Sequence, residues 1–343
     1  MPWGTDVTAW VLSAVWLRRS LALVLLLSAC GCVSVADFAA PAALQVIDAH
    51  NHLNGDMSAE ELIGLMDRSG VRAMVLMARY YQSGKGSDEQ AADYASRYPG
   101  RFIPFVAGQR GDLRRTVAWN NPSVVGERYL RAAEKMLKSG RYFGLGEYIL
   151  VHYNYGKSLG SEVRIPVDSY LLRQISALGS RYSVPVLFHA EAEPDNVAQA
   201  EQLVASNRNT RFIWAHNCGR ASAQQIGMLL ERFANLMCDL GGMVVTPTWS
   251  GGYGHYWPIK TEWIHLVQKD GGELYPGMEA LFERFPDRFM IGTDAADTLG
   301  LSLYAERIHA FRQLLLQLTP SAARKIGQEN ADRVFAGAFR GRQ

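Results

Sequence analysis

From Leu44 almost to the end of the chain, short apolar runs alternate with amphipathic stretches. The apolar runs at 46–50, 71–77, 102–107, 143–147, 184–189, 212–216, 236–240 and 289–294 have the near-continuous hydrophobicity of strands buried on both faces. Between them, spacing near 3.6 predicts helices at 58–69, 87–98, 124–139, 167–182, 194–207, 221–233, 277–285 and 303–318. The first of these opens on Ser58-Ala59-Glu60-Glu61, which has the form of a capping box, and stops at Gly70. Eight buried strands, each followed by a helix, predict an α/β fold of the (β/α)8 TIM-barrel type. The stretch 323–335 adds a C-terminal helix placed to cover a barrel end. Two connections, 149–166 and 245–274, exceed ordinary strand-to-helix turns and are expected to carry specificity.

The first 44 residues do not follow this rhythm. Arg18-Arg19 precede the apolar run from Leu21 to Leu27, and Ser28-Ala29-Cys30 follow, the basic, apolar, small-residue layout of a bacterial secretion signal. The run falls short of the roughly 20 residues that a spanning helix needs. Leu27-Ser28-Ala29-Cys30 resembles a lipobox, which implies an acylated Cys30 as the mature N-terminus. The expected organisation is a signal peptide over 1–30, a tether over 31–44 and a barrel over 45–338. Gly31 after the cysteine favours the outer membrane where a cell has two, so the chain is expected at the envelope, facing the periplasm.

Composition adds little to fold and more to partners. Thirty-five basic against 33 acidic residues leave a formal charge of +2 in 343 residues, too little field to draw in nucleic acid. A small-molecule substrate is expected, with the membrane reached only through Cys30. Of the four cysteines, Cys218 and Cys238 lie in the body at the ends of separate predicted strands. They are read as buried thiols, with pairing open in an oxidising compartment.

The candidate chemistry lies at the strand ends. Strand one closes on Asp48-Ala49-His50-Asn51-His52, strand four on Glu147, strand five on His189, strand six on His216 and strand eight on Thr293-Asp294. In a barrel these ends share one mouth. Residues two apart on a strand point to the same side, so His50 and His52 can aim both imidazoles at one ion. This order of elements resembles the amidohydrolase superfamily, and its amidohydrolase-related branch in particular, over roughly 46–335. The ending Asn330-Ala331-Asp332-Arg333-Val334-Phe335 is similar to one common in that branch.

The resemblance implies one or two divalent ions, zinc first among them. It implies His50, His52 and Asp294 on one ion and His189 on the same or a second. His216 is then a further ligand of a two-metal site or a catalytic imidazole of a one-metal site. Glu147 stands where many relatives carry a carboxylated lysine, which implies a carboxylate bridging two metals. Asp48 is read as a supporting residue. The mechanism implied is attack on a carbonyl or phosphoryl centre by a water that the metal acidifies toward a pKa of about 7, with Asp294 handling the proton.

Arg110, His255, Trp249 and Trp257 are weaker substrate-contact candidates. For Arg110 a loop-bracing role stands beside that reading, and for His152 a position on an exposed loop. His265 and His309 are expected on helical surfaces. The activity expected is hydrolysis of a small amide, lactone or ester, with a phosphoester within reach of the same chemistry. The alternatives are a one-metal, non-oxidative decarboxylase of a small unsaturated or aromatic acid, and a ligand-binding lipoprotein without turnover.

Overall fold

The computed structural model describes residues 44–53, 55–80, 86–114, 116–153, 162–246, 262–295 and 298–340. Eight parallel strands form its centre: β1 (Val46–Asp48), β2 (Val71–Ala78), β3 (Phe102–Pro104), β4 (Leu145–Ile149), β5 (Val186–His189), β6 (Phe212–Trp214), β7 (Leu236–Asp239) and β8 (Phe289–Met290). Neighbours in the chain are neighbours in the sheet: β1 pairs with β2, β2 with β3, and β4 through β8 follow in order. A bridge between Val106 and Leu145 joins β3 to β4. The ring closes where Ala49 N donates to Ile291 O at 2.9 Å and Asp294 N to His50 O at 2.8 Å. The protein is therefore a (β/α)8 barrel.

Each strand leads to a helix: α1 (Ala59–Arg68), α2 (Asp88–Arg97), α3 (Val124–Lys138), α4 (Tyr170–Arg181), α5 (Pro194–Ser206), α6 (Ala223–Arg232), α7 (Pro276–Arg284) and α8 (Tyr304–Leu315). The capping box at α1 forms as expected, with Ser58 and Glu61 satisfying each other's backbone N–H groups. Strand residues divide by parity. Val46, Met74, Leu76, Phe102, Val186, Phe188, Phe212 and Trp214 pack outward among the helices. Ile47, Ala73, Val75, Ile103, Phe105, Leu187, Ile213, Met237 and Met290 fill the lumen together with Ala331, Val334 and Phe335. The C-terminal helical segment thus plugs one end of the barrel, its Phe335 ring meeting Phe105 edge-on at 5.7 Å. Only the opposite end, where the strands finish, remains for chemistry.

Asp48 seals the closing seam. Its buried carboxylate accepts from Thr293 N at 2.9 Å, Thr293 Oγ1 at 2.6 Å and Asn51 Nδ2 at 3.0 Å, joining residues 245 apart in sequence. Burial pushes its carboxyl up from the usual aspartate value, and these bonds oppose that shift.

Several boundaries depart from the sequence reading. β4 runs past Glu147 to Ile149, with a shift of register between Leu145 and Tyr148. β6 stops at Trp214, because His216, Asn217, Cys218, Gly219 and Arg220 all take positive φ and form a left-handed turn. For residues with a Cβ that conformation is costly and persists only where contacts enforce it. Here Cys218 is bonded to Cys238 on β7, which corrects the expectation of two buried thiols: the turn brings their Cα atoms to 5.0 Å. His265 lies outside any helix and is half-buried, whereas His309 is exposed on α8 as expected. Among the described residues no helix is long and apolar enough to cross a membrane. The signal segment with Cys30, and Trp249, His255 and Trp257, lie outside the described residues.

The disulfide closes a loop of sequence separation 20. Changing both Cys218 and Cys238 to alanine is expected to lower the unfolding free energy by about 3 kcal/mol in a urea titration, from the loop-closure entropy alone. A wild-type protein whose two thiols react with a thiol reagent before reduction would contradict the pairing.

Candidate metal centre

The parity that fills the lumen also furnishes the mouth. Two residues beyond the inward Leu187 comes His189, two beyond Met237 comes Asp239, and four beyond Met290 comes Asp294. Just beyond β1 come His50 and then His52, the latter opening a two-residue strand, His52–Leu53, paired with Met77 and Ala78 of β2. Room for the His50 ring comes from two glycines: a Cβ on Gly292 would lie 2.5 Å from His50 Cβ, and one on Gly241 would lie 2.8 Å from His50 Nδ1. The register shift in β4 brings Glu147 in, and the left-handed turn brings in His216.

Glu147 is the hub. Its Oε2 lies 3.7 Å from His50 Nε2 and 3.4 Å from His52 Nε2. Its Oε1 lies 3.1 Å from His189 Nδ1 and 3.4 Å from His216 Nε2. Asp294 Oδ1 stands on the first side, 3.6 Å from His50 Nε2 and 3.2 Å from His52 Nε2. The donor atoms of His50, His52 and Glu147 lie within 4.8 Å of one another, as do those of Glu147, His189 and His216. All five of these side chains are buried.

The outer partners of the imidazoles decide which nitrogen carries hydrogen. His50 Nδ1 faces Asp239 Oδ2 at 3.0 Å, His216 Nδ1 faces the Gly241 carbonyl at 2.8 Å, and His189 Nε2 faces Glu191 Oε1 at 3.2 Å. With hydrogen on those outer nitrogens the inner ones present lone pairs; His189 has an acceptor on either side, since its Nδ1 lies 3.1 Å from Glu147 Oε1. His189 Nδ1 and His216 Nε2 stand 2.9 Å apart, at hydrogen-bond distance from one another, beside a carboxylate oxygen. His50 Nε2 is buried without a hydrogen-bond partner. Imidazole nitrogens and carboxylates converging in this way could hold a shared cation, and nitrogen with oxygen donors suits a divalent transition metal such as zinc.

The electrostatics show how strongly the carboxylates draw positive charge, from protons where no other cation meets them. Burial alone would drive protons off His50, but Asp239 and Glu147 outweigh it and hold its pKa well above the ordinary imidazole value. Burial would raise Glu147, yet His50, His189 and His216 keep it well below the usual carboxylate range. Asp294 is likewise lowered against its burial, by a hydrogen bond to His52 and by the charge of His50.

The Amidohydrolase family model matches residues 37–337. The chain belongs to the amidohydrolase family. Most members of this family are metal-dependent enzymes, and it includes both hydrolases and decarboxylases. No curated protein matches the chain. Among solved structures, an uncharacterised TIM-barrel protein from Bordetella bronchiseptica is similar at 16% identity, covering 87% of this chain and 100% of its own, with a TM-score of 0.57. A probable 2-pyrone-4,6-dicarboxylic acid hydrolase from Acinetobacter baumannii with citric acid bound is similar at 15% identity, covering 85% and 99%, with a TM-score of 0.53. The IDCase of Metarhizium anisopliae in apo form is similar at 14% identity, covering 86% and 98%, with a TM-score of 0.50.

Within this amidohydrolase barrel, His50, His52, Glu147, His189, His216 and Asp294 come together at one mouth. Arg110 is turned elsewhere: its guanidinium pairs with buried Asp88 and lies 4.4 Å over the Tyr80 ring, bracing the loop after β3. His152 is half-buried rather than on an exposed loop, its ring 5.3 Å from that of His189, and burial pushes its pKa down to about 3. Sequence reasoning missed Asp239, Glu191, Arg220 and Gln109. Asp239 interrupts the apolar run 236–240 and Glu191 follows His189 by two, signals that alternation makes visible. Gln109, which donates to Glu147 Oε2 at 2.6 Å, carries no such mark. Asp239→Asn leaves the shape of the site but gives His50 Nδ1 a weaker acceptor. It is expected to weaken binding of one metal equivalent 10- to 100-fold by competition with a chromophoric chelator.

Proposed function

We propose that the protein is a metal-dependent hydrolase that adds water across a small amide, lactone or ester, or across a phosphoester, and that it works at the cell envelope on a lipid carried by Cys30. The observation that carries the catalytic reading is the division of Glu147: one oxygen faces His50, His52 and Asp294, and the other faces His189 and His216. A carboxylate so placed asks for positive charge on both sides. Divalent metals held by those residues would supply a water acidic enough to ionise near neutral pH and would polarise the oxygen of the bond under attack.

The chain's own groups do the rest. The Asp294 side chain is 23% exposed, against 3% or less for the side chains of Glu147 and the four histidines. It is the member of the cluster that reaches the mouth, where substrate arrives. Asp294 takes the proton of the attacking water on its carboxylate and returns it to the leaving group. Gln109 holds Glu147 Oε2 in place through its amide N–H, and Asp239 keeps His50 in the tautomer that points a lone pair inward. The small net charge agrees with a small substrate and with no nucleic-acid partner.

Elemental analysis of the full-length protein, purified without chelator, is the test. Two equivalents of zinc, manganese or iron are expected, falling with Glu147→Ala. In a panel of lactones, amides, esters and phosphoesters, Asp294→Asn should lower kcat 10²- to 10⁴-fold with metal retained, and product should carry ¹⁸O from labelled water. One equivalent indifferent to Glu147→Ala, with CO₂ released and no ¹⁸O taken up, would replace this reading with decarboxylation. Bound metal with no turnover would replace it with a binding lipoprotein. Mass spectrometry of the mature N-terminus should find an acylated Cys30; a first residue beyond Cys32 without an acyl group removes the anchor.

A further inference from the structure

Beyond the donors themselves, the second side of the cluster rests on an ion pair buried beneath it. Glu191 and Arg220 are both fully buried, and Arg220 Nη1 lies 2.7 Å from Glu191 Oε1 and 2.6 Å from Oε2. Glu191 Oε1 also lies 3.2 Å from His189 Nε2. Arg220 closes the same left-handed turn that carries His216. That turn is held from several sides: by the disulfide to Cys238, by Ala192 N donating to Gly219 O at 2.9 Å, and by His216 N donating to Asp239 Oδ1 at 3.2 Å. Gly219 packs against Ala190, where a Cβ would stand 2.3 Å from the carbonyl oxygen.

We infer that Glu191 and Arg220 are positioning residues for the second metal position, and that one turn sets both of its nitrogen donors. The inference rests on the two-position reading of Glu147. An imidazole can turn either nitrogen to a metal, and the hydrogen bond on the opposite nitrogen decides which one is free to bind. Glu191 fixes that choice for His189: accepting the Nε2 hydrogen, it leaves a lone pair on Nδ1, the atom beside Glu147 Oε1. A carboxylate without solvent cannot hold this place unless its charge is met, and Arg220 meets it. Arg220 can do so only because the backbone stays left-handed from His216 onward, so the turn that delivers His216 directly also delivers His189 through the ion pair. On the other side, the outer nitrogen of His50 faces Asp239 Oδ2 instead.

Removing one partner would strand a buried charge, so the informative variants change both. Glu191→Leu with Arg220→Met removes the acceptor and both charges, and buried pairs often tolerate apolar replacement of similar volume. Glu191→Gln with Arg220→Met removes the charges but keeps an oxygen acceptor for His189. Cobalt(II) titration of the chelator-stripped full-length proteins, followed by absorbance, reads both positions without any substrate. Wild type is expected to bind two cobalt ions. The Leu/Met pair should weaken one of them 10- to 100-fold and leave the other within about twofold. The Gln/Met pair should restore the weakened one, which a merely structural role would not do.

Leu/Met binding at wild-type strength in both positions overturns the positioning role while the two-position reading stands. A wild type that binds a single cobalt overturns that reading, and this inference with it. Should the Leu/Met protein not fold, long-range ¹H–¹⁵N spectra of the zinc-loaded wild type decide: hydrogen on His189 Nε2 is expected, and hydrogen on Nδ1 overturns the assignment.

Discussion

A carboxylate buried among imidazoles is the constraint from which the active end of this barrel follows. Glu147 sits out of water with a histidine pair on each side, and an ionised group in such a place is stable only when every neighbour is arranged to favour its charge. The requirement spreads outward. Each imidazole needs an acceptor behind it, and three of these are Asp239, the Gly241 carbonyl and Glu191. Glu191 is itself a buried carboxylate and needs Arg220. Arg220 needs a backbone that reaches it, and so a left-handed turn stands where a strand would otherwise continue. Unusual local geometry just after β6 is therefore the far end of a chain of charge compensation that begins on β4.

The barrel makes this arrangement affordable in packing terms. Its lumen is apolar and packed at one end against Val334 and Phe335, which leaves the polar side chains to the other end. Alternation along each strand then sorts residues by depth without special sequence: apolar side chains below, donors above. The helices contribute the outer half of the core and no donor to the cluster.

Much of this was legible along the chain. All eight strands and their helices follow from apolar runs and period, and six of the converging side chains were visible as polar residues ending those runs. What was not legible depends on backbone departures. A strand reading ends 212–216 on His216, yet positive φ from His216 to Arg220 removes that residue from the sheet and pairs Cys218 with Cys238. A strand reading also ends β4 at Glu147, where the register shift turns that side chain into the lumen mouth. Gln109 and Arg110 are adjacent and both polar. Nothing in their pattern told which one turns to Glu147 and which to Asp88, because that depends on the loop's path rather than on alternation.

The closing seam has a consequence for how the molecule is made. Asp48 meets Thr293 across a separation of 245 residues, and the same seam sets His50 and His52 beside Asp294. On a ribosome the two halves of this contact emerge far apart in time, and the first six strands are out long before the last one exists. A nascent or truncated chain can carry His50, Glu147 and His216 but lacks the carboxylate at the mouth. The cluster is thereby left incomplete until synthesis is nearly finished, and the two ends of the barrel must meet before its first side can form.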